Sequence, residues 1–139
     1  MDNTDTSTAT TPKLWNPNAA AIWSLLFTPI LGAWLHTKNW QELNQADRAK
    51  KSMIWVYVGF VFLFAVLLLQ NSYVSPAPSL IFFIAWYFSS AKGQVKYIKE
   101  NNIQYQKKAW GKPLLIGLAG LVFYVAVSVS ITLRQLSHL

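Results

Sequence analysis

Side chains capable of acid–base or metal chemistry are few in this sequence, and they lie outside its apolar stretches. The carboxylates are Asp2, Asp5, Glu42, Asp47 and Glu100. Cysteine is absent, which excludes disulfides, thiolate metal sites and a cysteine nucleophile. Because a proton-coupled pump needs a titratable group at membrane depth, this placement argues against one. The sequence predicts no catalytic residue and no cofactor, and hence a protein that is not an enzyme.

The histidines and one charge cluster also have ordinary interpretations. His36 and His138 fall on opposite sides of the membrane in the predicted topology, so they cannot share a metal ion. We interpret both as interfacial polar residues and predict no metal site. Asp47 and Lys51 are four residues apart, the spacing of a solvated helical ion pair.

Composition and charge point to a membrane protein of one domain. Of 139 residues, 53% are hydrophobic and 12% are charged, against about 25% charged in a typical soluble domain. The net charge of +7 would suit nucleic acid, but ten of the twelve Lys and Arg residues fall in two short segments between apolar stretches. That distribution is typical of cytoplasmic loops that face anionic lipid headgroups, so we expect no nucleic-acid partner.

Four apolar stretches predict an all-α integral membrane protein, a four-helix transmembrane bundle. Residues 1–13 are predicted to be a disordered tail and residues 14–139 the membrane domain, with spans at about 19–36, 53–70, 79–98 and 113–133. Pro29 lies in the middle of the first stretch. This stretch is either a Pro-kinked spanning helix, which we favour, or a re-entrant hairpin that turns near Thr28 and Pro29.

The basic residues set the predicted orientation. Those in the two loops are Lys38, Arg48, Lys50, Lys51, Lys92, Lys96, Lys99, Lys107, Lys108 and Lys112. We expect these membrane-surface basic loops in the cytoplasm, both termini outside, and a multi-pass protein of the bacterial inner membrane. If the first stretch is re-entrant, the N-terminal tail changes side.

A row of small residues is the most informative pattern in the first stretch. Ala20, Ser24, Thr28 and Gly32 recur every four residues and share one helix face. In lipid, close backbone approach across small residues drives helix association. The row is a candidate helix-docking face for a partner protein, or, as we favour, it packs against a similar row in the fourth stretch. That weaker row is Ala119, Ala126 and Ser130.

The opening of the chain carries a series of short motifs: W-N-P-N-A-A-A at 15–21, W-S-L-L-F-T-P at 23–29, Gly32-Ala33, Asn39-Trp40 and Leu43. In these motifs it resembles a loose group of small bacterial multi-pass inner-membrane proteins of unknown function. It implies a fold and a compartment, and brings no activity or cofactor to carry over.

The expected function is non-enzymatic contact with another protein in the membrane. Such a protein is an accessory subunit or an immunity-type protein that neutralises a delivered toxin, with the lipid bilayer and a second protein or a second copy as partners. The alternative is a small pore or solute-pathway protein, for which serine and threonine hydroxyls are the available polar lining.

Overall fold

A computed structural model describes residues 11–69 and 77–137 and shows an almost entirely helical chain. In chain order the elements are β1 (Lys13–Leu14), α1 (Pro17–Leu26), α2 (Pro29–Glu42), α3 (Ala46–Leu68), α4 (Ala77–Trp86), a π-helical turn (Tyr87–Ala91), α5 (Lys92–Glu100), β2 (Gln106–Lys107) and α6 (Gly111–Leu136). The prediction of an all-helical chain is confirmed. Most of the tail predicted to be disordered, residues 1–13, lies outside the described residues.

The first predicted span consists of two helices. Asn16 caps α1 by accepting hydrogen bonds from the main-chain N–H groups of Asn18 and Ala19. The helix ends at Leu26, and Thr28 is extended, with φ −169° and ψ 153°. Proline disfavours helical geometry in the residue before it, which explains why Thr28 leaves the helix.

The two helices fold back on each other as a hairpin. β1 pairs in parallel with β2, so that Lys13 lies opposite Gln106. Trp15 also hydrogen-bonds to Asn39, which places the start of α1 beside the end of α2. The continuous Pro-kinked helix favoured for residues 19–36 is thus replaced by a hairpin that turns at Thr28 and Pro29, because the break lets α2 reverse direction.

The remaining elements are long helices. α3 and α6 are long and apolar enough to cross a membrane. Helical structure continues from Ala77 to Glu100 through the π-helical turn, and the hydroxyl of Ser89 within that turn donates to the main-chain carbonyl of Ala85. A hydroxyl bonded back to the previous turn bends a helix locally, and an added residue makes a π-turn.

α2 lies at the centre of the fold and packs against α1, α3, α4 and α6. One buried cluster surrounds Trp86, and a second surrounds Leu35. Large apolar side chains cover the outside of the long helices: Val61 of α3 is 72% exposed and Phe123 of α6 is 71% exposed. The apolar interior of this protein is therefore small, and its apolar exterior is large.

Candidate functional site

Two buried side-chain amides, Asn39 of α2 and Gln94 of α5, tie three parts of the chain together; we call them the amide cluster. Asn39 Oδ1 accepts from the Trp15 N–H at 3.0 Å, and Asn39 Nδ2 donates to the Trp15 carbonyl at 2.8 Å and to Gln94 Oε1 at 3.0 Å. Gln94 Nε2 donates to the His36 carbonyl at 2.9 Å. Since these bonds occupy both side-chain amides, the amide cluster is structural: it holds the start of α1 against the end of α2, where the hairpin is open.

His36 is fully buried, so the expectation of an interfacial residue is wrong. Its ring meets Trp86 edge-on, with 5.6 Å between ring centroids. Neither ring nitrogen makes a hydrogen bond within the described residues, although the Pro17 carbonyl lies nearby. His138 lies outside the described residues. Within the described part of the chain, no group of three or more metal-ligating residues could hold a metal ion.

The small-residue row of the first stretch faces the interior of the protein. Ala20, Ser24 and Gly32 are buried, and Thr28 is half-buried at the turn of the hairpin. A Cβ added at Gly32 would lie 1.9 Å from Ser24 Oγ and 2.5 Å from Trp86 Cη2. The row therefore brings α1, α2 and α4 into close contact, and the chain's own residues cover most of the face that we considered for docking.

The two basic loops meet at one end of the bundle. The Arg48 guanidinium lies over the rings of Trp40 and Tyr97, at 5.1 and 4.4 Å from their centroids. Lys108 Nζ lies 2.7 Å from Glu42 Oε1 and 4.6 Å from the ring centroid of Trp15. Lys38 is half-buried, and the other basic residues of the loops are exposed: Lys50, Lys51, Lys92, Lys96, Lys99, Lys107 and Lys112.

The weaker small-residue row, on α6, remains uncovered; we call Ala119, Ala126 and Ser130 the open row. All three residues are exposed. α6 instead packs through another face, where a Cβ added at Gly117 would lie 2.9 Å from the ring of Phe27. The open row is thus a set of small residues on α6 that no described residue of this chain covers.

A cavity of about 370 Å³ lies at the turn of the hairpin, between α3, α4 and α6. Its walls are mostly apolar, and the polar side chains that line it are Ser24, Thr28, Ser79 and Tyr124. No charged side chain belongs to its lining in the described part of the chain.

The amide cluster was not predicted from the sequence. The available signal was on α5, where Ala91, Gln94 and Ile98 share one helical face between the lysines. That face is apolar apart from Gln94, which marks the amide as inward-pointing. Asn39 carried no such signal, because its partner Trp15 lies 24 residues away in the sequence.

Replacing Asn39 with Ala should destabilise the fold by about 1–3 kcal/mol, because it leaves the buried partner groups of Trp15 and Gln94 unpaired. The matched control is Asn101→Ala, whose amide makes one exposed hydrogen bond to the Tyr97 carbonyl and should change stability by less than about 0.5 kcal/mol. Thermal unfolding of the purified protein in detergent measures both. Equal effects would show that the amide cluster does not hold the hairpin.

Replacing Gly32 with Ala should cost about 1–3 kcal/mol, since even a methyl group collides with Ser24 and Trp86. Gly120→Ala is the control, because no side chain and no other helix lies within 4 Å of its added Cβ, and alanine favours the helix. The free energy of unfolding should fall for the first variant and stay equal or rise for the second. The opposite order would contradict the close packing of α1, α2 and α4.

The hydroxyls of Ser24, Thr37 and Ser52 donate to main-chain carbonyls, so these side chains stabilise helices and helix contacts. These hydroxyls and the amide cluster hold the helices together. The open row and the cavity are the surfaces that they leave accessible. No protein-family model matches the chain, and comparisons with curated proteins and with solved structures likewise find no match.

Proposed function

We propose that this is a non-enzymatic, multi-pass protein of a bacterial inner membrane that acts by contact with another membrane protein. It would serve as an accessory subunit or as an immunity-type protein that neutralises a delivered toxin. The observation that carries the proposal is the uncovered open row on α6.

The outer surfaces of α3 and α6 support membrane insertion. Phe64 and Leu68 on α3 are 67% and 75% exposed, and Val122 and Leu133 on α6 are each 61% exposed. A soluble monomer rarely exposes a large contiguous apolar surface, whereas a bilayer covers one at no cost. Both helices are apolar around most of their circumference, as helices in lipid are.

The geometry also favours a particular topology. The helical run from Ala77 to Glu100 measures about 35 Å at 1.5 Å per residue, enough to cross a bilayer core of about 30 Å. α1 has 10 residues and measures about 15 Å, so the hairpin enters half of the core and returns. We therefore propose three crossings and one re-entrant hairpin, with the basic loops and the residues before α1 in the cytoplasm.

Two rows of small residues have different surroundings, and the difference suggests which one binds a partner. The first row is packed inside the chain, whereas Ala126 and Ser130 of the open row are exposed. Among lipid tails, hydrophobicity provides no drive between helices, so small residues that permit close backbone contact are the main basis for association. A transmembrane helix of a second protein fits the open row.

A small pore or solute pathway has less support. The cavity at the hairpin turn is mostly apolar, and its polar lining is limited to hydroxyl groups. The buried amides of Asn39 and Gln94 are bonded to each other and to the main chain, so they offer little to a passing solute.

Single cysteines test the topology, because the chain has no native cysteine. In intact cells, cysteines at Thr11, Asn44 and Asn102 should resist an impermeant thiol reagent, and one at Ser75 should react. Labelling at Thr11 with protection at Asn44 and Asn102 would replace the re-entrant hairpin with a spanning helix. Labelling at Asn44 or Asn102 but not at Ser75 would reverse the orientation.

A photo-crosslinking amino acid at Ser130 tests the open row. In cells it should give a discrete adduct with one membrane protein, identified by mass spectrometry. Ala126→Leu should reduce the adduct by about 3- to 10-fold, as expected for a loss of roughly 0.6–1.4 kcal/mol in helix packing. The control Val125→Leu, at an exposed position beside the row, should leave the adduct unchanged.

Failure to form any adduct, or equal effects of the two leucine variants, would contradict the proposed contact at the open row. If the crosslinked partner is a toxin, and cells that make this contact survive the toxin, the immunity role is supported. If the partner is a subunit of a membrane complex encoded nearby, the accessory role is supported.

A further inference from the structure

The cavity at the hairpin turn has the shape and surroundings of a binding site. Its volume is about 370 Å³, within the range of pockets that hold small ligands. The hairpin closes one side through Phe27 and Pro29, and α3, α4 and α6 form the others. Aromatic and aliphatic side chains of those three helices dominate the walls: Phe62, Leu63, Val66, Phe82, Phe83 and Leu121.

The depth of the cavity follows from positions along α3. Gly59 and Val66, which line it, come 8 and 15 residues after the basic Lys51. At 1.5 Å per residue these positions lie about 12 and 22 Å from the basic end, around the middle of a hydrocarbon core of about 30 Å. This estimate rests on the membrane insertion proposed above. The cavity then occupies the space beyond the tip of the half-length hairpin.

The break between α1 and α2 places irregular main chain at this depth. Thr28 is extended, and its side chain makes no capping hydrogen bond to α2. Irregular main chain within a bilayer is tolerated where protein or a cavity shields it from lipid, because unpaired peptide groups are costly in hydrocarbon. The occupant of the cavity therefore contacts both a few polar groups and a largely apolar wall.

The walls favour an apolar occupant over water. Ordered water in a cavity needs two to four polar partners. Of the four hydroxyls that line the cavity, that of Ser24 already donates to the Ala20 carbonyl at 2.6 Å, and the rest of the lining is mostly apolar. The rings of Phe62 and Phe82 stack 4.7 Å apart across the interface of α3 and α4. Leu25 and Leu80 line the cavity and are 59% and 51% exposed, so its mouth opens toward the surface that lipid covers.

We propose that this cavity is a binding site for one acyl chain of a membrane lipid. The chain enters from the side, between the hairpin and α4, and lies along the aromatic wall of α3 and α4. Its methylene groups cover the turn at Thr28 and Pro29 and complete the apolar shell of the bundle. The site selects for a flexible hydrocarbon chain and not for a particular headgroup.

A photoreactive lipid tests the proposal with the full-length protein in nanodiscs. The probe is phosphatidylethanolamine that carries a diazirine midway along one acyl chain. After irradiation, mass spectrometry should place the adduct on cavity-lining peptides of α3 and α4. Leu121→Trp, which fills the cavity, should abolish this adduct, whereas Leu118→Trp, at a 52% exposed position one turn earlier on α6, should leave it intact.

A second variant and a folding check distinguish a filled cavity from a misfolded protein. Val66→Phe fills the cavity from α3 and should also abolish the adduct, with thermal unfolding in detergent as the check that each variant is folded. Adducts spread evenly over the exposed faces, or unchanged in a folded filling variant, would overturn the proposal. So would reaction of Leu121→Cys with a membrane-impermeant thiol reagent in nanodiscs, since the cavity would then hold water.

The outcome is separable from that of the proposed function. Extraction of the protein from membranes by alkaline carbonate would refute membrane insertion and with it both proposals. Loss of the Ser130 crosslink alone would refute the protein contact and leave the acyl-chain site standing.

Discussion

The side-chain amide of Asn39 is the interaction on which the arrangement of the first two helices depends. It pairs with both main-chain groups of Trp15 and with the amide of Gln94, so it joins the start of α1, the end of α2 and the middle of α5. A hairpin of two short helices has little stability of its own. Removing any one partner leaves a buried polar group unpaired, which lowers the free energy of unfolding. The three segments therefore stabilise one another.

Close packing around Gly32 adds apolar contacts to the hydrogen bonds of the amide cluster. Gly32 allows α1 and the Trp86 ring of α4 to approach α2 within van der Waals contact. The π-helical turn directly follows Trp86 and resets the register between α4 and α5. As a result, Trp86 on one side of the turn and Gln94 on the other both point into the same interior. One continuous helical run therefore gives α2 both an apolar contact, through Trp86, and a polar contact, through Gln94.

Composition and local patterns accounted for the helices but not for their arrangement. The four apolar stretches correctly indicated helical structure, because hydrophobicity acts locally. Pro29 left two alternatives, and the structure has the hairpin and not the Pro-kinked spanning helix that we favoured. A spanning helix and a hairpin have the same composition, so the choice between them depended on partners distant in the sequence, such as Trp15 and Asn39. Likewise, the sequence revealed the small-residue row but not the position of Trp86, and only that position shows which side of the row is covered.

The long-range hydrogen bonds of Trp15 and Asn39 have a consequence for the biosynthesis of the protein. Asn39 bonds to Trp15 over 24 residues and to Gln94 over 55, whereas the indole of Trp15 reaches the Ala109 carbonyl over 94. Contacts over long sequence distances form late, and a nascent chain acquires them in the order in which their partners leave the ribosome. Trp15 is thus synthesised long before its partner Ala109, so the start of α1 folds first on its contact with Asn39 and gains this last hydrogen bond only afterwards.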